Sequence, residues 1–153
     1  MSVEHSTLTG SDLHEPKGAS SASTGQVYIA NGSGSGAWTA HHNRCVLTVQ
    51  LANISVASSC YVATPIAGTI TKIYSVISAA ITGGDAVITS KLGSTALTNG
   101  AITIANGSAI AAIDNCTPTA NHTVTVGQAI TLTTDGGSTN TSIGTFTIEI
   151  TPS

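Results

Sequence analysis

From about residue 45 onward the chain alternates between apolar and polar positions. Cys45, Leu47, Val49 and Leu51 fall on one side of a two-residue period, with Val46, Thr48 and Gln50 on the other, which predicts a strand buried on at least one face. Residues 59–64 form a second candidate strand, ended by Pro65, which has no N–H to donate to a ladder. Gly68 opens the next, residues 69–77, with Ile70, Tyr74 and Val76 facing one way and Ile73 and Ile77 the other. Apolar residues on both faces predict a central strand and the firmest part of the core. Gly83-Gly84-Asp85 is a turn, and residues 86–92 a strand with Ile88 and Leu92 on one face. Asn99-Gly100 reads as a tight hairpin between a strand ending near Leu97 and one carrying Ile102 and Ile104, because both residues accept the positive φ of a type I′ turn. Asn106-Gly107 marks another turn, residues 109–113 a short strand with a helical turn as the alternative, and residues 114–121, with Pro118, a loop. Three more strands follow at 122–126, 129–133 and 144–151, the last two joined by a loop from Asp135 to Ser142. In the last strand Phe146, Ile148 and Ile150 point inward and Thr145, Thr147, Glu149 and Thr151 outward. No stretch has a helical period. Eight or nine short strands predict an all-β chain with a single antiparallel β-sandwich, jelly-roll-like, with an immunoglobulin-like sandwich as the alternative.

The first quarter follows no such pattern. Leu8, Leu13, Pro16, Val27, Tyr28, Ile29 and Trp38 are isolated anchors in a matrix of Gly, Ser and Ala. Such a segment cannot bury enough apolar surface to offset its own ordering entropy. The expected organisation is an extended attachment arm over residues 1–40 followed by a sandwich domain over 41–153. Val27-Tyr28-Ile29 would add one short strand to whatever surface receives the arm.

Charge changes the picture of the surface. Asp, Glu, Lys and Arg make up 7% of the 153 residues while 41% are hydrophobic, and mean hydropathy is +0.28. Disorder pairs low hydropathy with high charge, so this composition is not its signature. The sheets must instead present uncharged hydroxyls or be covered by partner chains. With a net charge of −3, and only Lys17, Arg44, Lys72 and Lys91 as strong cations, no cluster exists to neutralise phosphates, so nucleic acid is not an expected partner. No apolar run approaches the ~20 residues of a membrane span. Nor does a basic segment followed by an apolar one open the chain, so no secretory leader is expected.

Reactive residues are dispersed. Cys45, Cys60 and Cys116 form no C-x-x-C pair and read as buried thiols in strands, with one disulfide plus a leftover thiol as the alternative. His41 and His42 are adjacent, hence on opposite faces of a strand and poorly placed for one metal ion. Asp85 and Asp135 sit in Gly-rich turns, where Asp accepts from backbone amides. No facing pair of carboxylates is implied by spacing, and no Ser lies in a G-x-S-x-G elbow. Asp114-Asn115 and Asp135 offer oxygen ligands but no EF-hand pattern. No enzyme, no cofactor and no metal are expected. Among exposed aromatics Tyr61 is the candidate glycan contact; Tyr74 and Phe146 are assigned to the core.

The segments Asp12-Leu13-His14-Glu15-Pro16-Lys17-Gly18, Gln26-Val27-Tyr28-Ile29-Ala30-Asn31-Gly32 and Gly36-Ala37-Trp38 resemble the N-terminal region of tailed-bacteriophage head-decoration and fibre proteins. The run Tyr61-Val62-Ala63-Thr64-Pro65-Ile66-Ala67-Gly68-Thr69-Ile70-Thr71-Lys72-Ile73-Tyr74-Ser75-Val76-Ile77 resembles a capsid decoration domain of cement or head-fibre type. The resemblance implies a structural virion protein made in the bacterial cytoplasm and carried on the capsid surface. Its implied partners are the major capsid protein and two further copies of itself in a homotrimer. The alternative is a receptor- or glycan-binding fibre module.

Overall fold

The computed structural model describes residues 22–23, 25–33, 36–40 and 44–153; Leu8, Leu13, Pro16, His41 and His42 lie outside them. The chain divides into two compact units, residues 1–42 and 43–153.

In the first unit β1 (Gln26–Ala30) and β2 (Gly36–Ala40) pair antiparallel, Tyr28 opposite Trp38 and Ile29 opposite Ala37. Val27-Tyr28-Ile29 is a strand, as expected, but it already has a partner within the arm. The connection starts with an Asx turn, the Ser33 N–H donating to Asn31 Oδ1 at 2.9 Å. A Cβ on Gly36 would lie 2.3 Å from the Ile29 carbonyl oxygen and 2.7 Å from the Tyr28 ring, so only glycine lets that ring lie across the strand.

The second unit contains β3 (Cys45–Leu51), β4 (Ser58–Ala63), β5 (Gly68–Ile77), β6 (Ala86–Leu92), β7 (Thr95–Ile104), β8 (Ile113–Cys116), β9 (Thr123–Val124), β10 (Ala129–Thr134) and β11 (Gly144–Pro152). One sheet runs β3-β11-β5-β8, with β9 also paired to β5; the other runs β4-β10-β6-β7. All pairings are antiparallel and nested: β6 with β7, β5 with β8 and β9, β4 with β10, β3 with β11. That is one long hairpin. Rolling it up adds the contacts of β11 with β5 and β10 with β6, which makes the sandwich a jelly roll rather than an immunoglobulin-like fold. Its core is largely isoleucine. Ile70, Ile73, Ile77, Phe146, Ile148 and Ile150 meet Ile88, Ile102, Ile104, Ile130 and Leu132, all buried.

Four local expectations are corrected. Asn99-Gly100 is not the hairpin turn. That turn is Gly93-Ser94 between β6 and β7, with φ +59° at Gly93, where a type II′ turn needs glycine. Asn99, at φ +56°, lies instead in a four-residue excursion of β7 opposite Ser90. The excursion binds the other sheet's β8–β9 connection, with the Thr98 N–H donating to the Ala120 carbonyl (3.0 Å) and the Thr119 N–H to the Thr98 carbonyl (2.9 Å). Residues 109–112 form a turn, with Ala111 at φ +64°, and the strand comes later, at 113–116 inside the expected loop.

The fourth correction sets the geometry of one outer face. In β5 the register with β11 shifts by one residue, Glu149 facing Lys72 but Ile150 facing Ile70. This β-bulge reverses the alternation. Ile70, Ile73, Ser75 and Ile77 point inward, while Tyr74 and Val76 are only partly buried. Strict alternation from Ile70 would have driven Lys72 into the core, and an unpaired buried ammonium is costly.

Candidate functional site

The bulge leaves an aromatic ring on the outer face of the β3-β11-β5-β8 sheet. Pairing sets the neighbours across that face in two rows. One row is Gln50, Thr145, Val76 and Ile113; the next is Thr48, Thr147, Tyr74 and Asn115. Between them lies a shallow depression of about 250 Å³ lined by Tyr74, Ser75, Val76, Ile113, Thr145 and Thr147. Ile113 is 68% exposed and Val46, a row further along, 54%. The Gln50 amide donates to Thr145 Oγ1 at 2.9 Å. Beyond these rows Glu149 and Lys72 are register partners: Arg44, which precedes β3, pairs with Glu149 at 3.6 Å, and Lys72 Nζ lies 5.0 Å from the centre of the Tyr74 ring, a cation–π contact.

Tyr61 is exposed, as expected, on β4 of the opposite sheet, with Thr131 as its register neighbour. The two tyrosines therefore belong to opposite outer faces. Phe146 is fully buried, as expected; Tyr74 is not in the core. The sequence carried one signal for Tyr74, the Lys72 that shares its period with Ile70. Thr145, Thr147, Ile113 and Asn115 join it only through pairings far apart in the chain.

The ionisable side chains serve the loops. Asp85 Oδ1 accepts from the Asn106 N–H (2.7 Å), and Asp135 Oδ1 from the N–H groups of Val87 and Gly137 (3.0 Å each), the amide-capping role expected of Asp in such turns. His122 Nδ1 is 3.0 Å from the Ile70 carbonyl oxygen. Among the described residues no group of three or more His, Cys, Asp or Glu side chains is placed to hold a metal ion. The three cysteines are free, Cys116 buried and Cys45 and Cys60 half-buried. Burial pushes the Cys116 thiol up to about 11 and raises that of Cys60, backbone hydrogen bonds offsetting part of the rise.

In the hairpin unit the pairing gives two dissimilar faces. Tyr28 and Trp38 share one, with ring centroids 5.4 Å apart; Val27, Ile29, Ala37 and Thr39 share the other. Ile29 is 56% exposed. The result is a short ribbon with apolar side chains on both faces. No protein-family model matches the chain, and no curated protein or solved structure matches it either.

Proposed function

We propose that this chain is a non-enzymatic structural protein of a tailed-phage virion, fastened to the outside of the capsid by its N-terminal unit while the jelly roll projects. The observation that carries the reading is the β1–β2 hairpin. Two paired strands give only marginal stability in water by their own pairing, and these have five residues each and large side chains on both faces. A receiving surface would add apolar burial to that pairing, and the major capsid protein is the partner implied by the resemblance of the Gln26–Gly32 and Gly36–Trp38 segments. In that role Val27, Tyr28, Ile29 and Trp38 make the contact, with Leu8, Leu13 and Pro16 as further anchors along residues 1–40.

The charge-poor, threonine-rich faces of the body are compatible with a homotrimer in which neighbouring copies cover part of that surface. Three arms on one trimer bind at high effective concentration, and avidity exceeds single-arm affinity by ~10²–10⁴. No cofactor enters this mechanism.

The test is co-sedimentation with capsids assembled from the major capsid protein alone. Full-length protein is expected to bind in a number proportional to capsid subunits. A chain beginning at Ala40 is expected to keep the circular dichroism and sedimentation behaviour of the whole and to lose binding. Equal binding by the truncated chain would move the attachment site to the jelly roll.

A further inference from the structure

We propose that the depression beside Tyr74 is a saccharide-binding site for a neutral hexose or N-acetylhexosamine. The proposal does not depend on capsid attachment by the N-terminal unit.

The ring is the platform. Lys72, two residues before it on β5, holds its ammonium over the ring, and Val76, Ile113 and Thr145 line the depression together with Tyr74. A partly exposed aromatic flanked by aliphatic side chains offers the apolar surface on which the C–H face of a pyranose lies, and the tyrosine keeps a polar tip for its edge.

The polar groups stand where sugar hydroxyls fall. Adjacent strands are ~4.8 Å apart, so Thr147 and Asn115, the register neighbours of Tyr74 on either side, lie one strand spacing from it in opposite directions. A pyranose hydroxyl extended by one hydrogen bond of ~2.8 Å reaches about that far from the ring's centre. A threonine hydroxyl both donates and accepts. Thr145 Oγ1 accepts from Gln50, which leaves its own proton to donate to a ligand. The exposed Asn115 amide supplies a carbonyl acceptor and an NH₂ donor.

Charge and satisfaction decide the class. Nothing lining the depression carries charge, and the cations on this face are already engaged, Arg44 by Glu149 and Lys72 by the Tyr74 ring. A carboxylated or phosphorylated ligand would find no free counter-charge there. An apolar surface laid on this depression would leave its hydroxyls and amides without partners, at a cost per group; sugar hydroxyls satisfy the same groups. At about 250 Å³ the space falls below the ~300–1,000 Å³ of enclosed drug-sized sites, which suits a single ring of a glycan lying along the sheet.

The experiment is an NMR titration of the full-length ¹⁵N-labelled protein with the methyl glycosides of glucose, galactose and N-acetylglucosamine, and with N-acetylneuraminic acid as the charged control. At least one neutral glycoside is expected to give saturable shifts at Tyr74, Val76, Ile113, Asn115, Thr145 and Thr147, with a millimolar Kd and no response to the charged sugar. Tyr74→Ala is expected to weaken binding at least about tenfold, which is 1.4 kcal/mol, while Tyr74→Phe retains most of it. Thr147→Val, which keeps the side-chain shape, is expected to weaken it several-fold and covers the case in which Tyr74→Ala fails to fold. Absence of saturable shifts with all three neutral glycosides overturns the proposal. So do shifts centred on Tyr61, or a fall in oligomer mass in Tyr74→Ala, which would give this face to a second copy of the chain. Capsid co-sedimentation of the same variants should be unchanged, so the two readings fail separately.

Discussion

Tyr28 and Trp38 face each other across the β1–β2 pair, their ring planes inclined at 64° in an edge-to-face contact. This is the geometry in which the positive edge of one ring meets the negative face of the other. Trp38 is the one tryptophan of the chain, so its fluorescence reports on the hairpin by itself. In urea the tryptophan signal is expected to change at lower concentration than the far-ultraviolet circular dichroism, which the jelly roll dominates. Tyr28→Ala is expected to destabilise the hairpin by about 0.5–1 kcal/mol without moving the second transition. Coincident transitions would mean that hairpin and body unfold as one cooperative unit.

The excursion of β7 offers a second test. Asn99 holds a left-handed backbone, and its side-chain NH₂ donates to Thr119 Oγ1 at 3.1 Å. Asn99→Ala is expected to cost about 1–2 kcal/mol, from left-handed strain and the lost hydrogen bond. Asn99→Gly, which keeps the conformation, should cost less. Gly100→Ala is expected to cost about 1–3 kcal/mol, since the new Cβ would stand 2.4 Å from Cβ of the buried Leu97. Urea midpoints rank the three; an Asn99→Gly variant less stable than Asn99→Ala would overturn the conformational account.

The same excursion shows where local patterning stops being informative. Asn-Gly signals positive φ, and the backbone at Asn99 has it; the signal does not say whether the chain reverses there or bulges and continues. Strands 45–51, 86–92 and 144–151 were legible because each has one wet and one dry face, and a two-residue period encodes that directly. Strand 69–77 was legible as a strand but not as a set of faces. A bulge at Thr71 is invisible to any period, except through the awkward place that strict alternation gives Lys72. The Tyr74 depression combines β5, β8 and β11, so it depended on a register that no single segment encodes. The nested pairing behind the jelly roll was likewise beyond local reading, because immunoglobulin-like and jelly-roll sandwiches draw on strands of similar length and pattern.

Ser90 gives a prediction in the stabilising direction. Its side chain is fully buried, and among the described residues its hydroxyl is the buried side-chain oxygen left without a hydrogen-bond partner. An unsatisfied buried hydroxyl costs about 1–3 kcal/mol, while Ser→Ala removes little volume. Ser90→Ala is therefore expected to raise stability by about 1 kcal/mol, seen as a higher urea midpoint at unchanged m-value. A destabilised variant would show that the hydroxyl is hydrogen-bonded in solution.

The thiols set an alkaline limit on stability. Desolvation favours the neutral thiol over the thiolate, which raises the Cys116 pKa from 9.0 to about 11 in the folded chain. As pH rises above the unfolded thiol's value, unfolded chains release this proton while folded chains retain it. The folded state then binds more protons, and stability falls with pH. The contribution is fully present below about pH 9 and is lost progressively as pH climbs through about 11. Cys60 acts in the same direction, its thiol raised by burial. Urea unfolding followed between about pH 8 and pH 11 should show a declining midpoint, and a Cys60→Ala, Cys116→Ala double variant should show a shallower decline. The difference between the two slopes is the measured quantity. Equal slopes would mean that the thiols ionise as readily in the folded chain as in the unfolded one, and that their burial in the sandwich does not favour the neutral form.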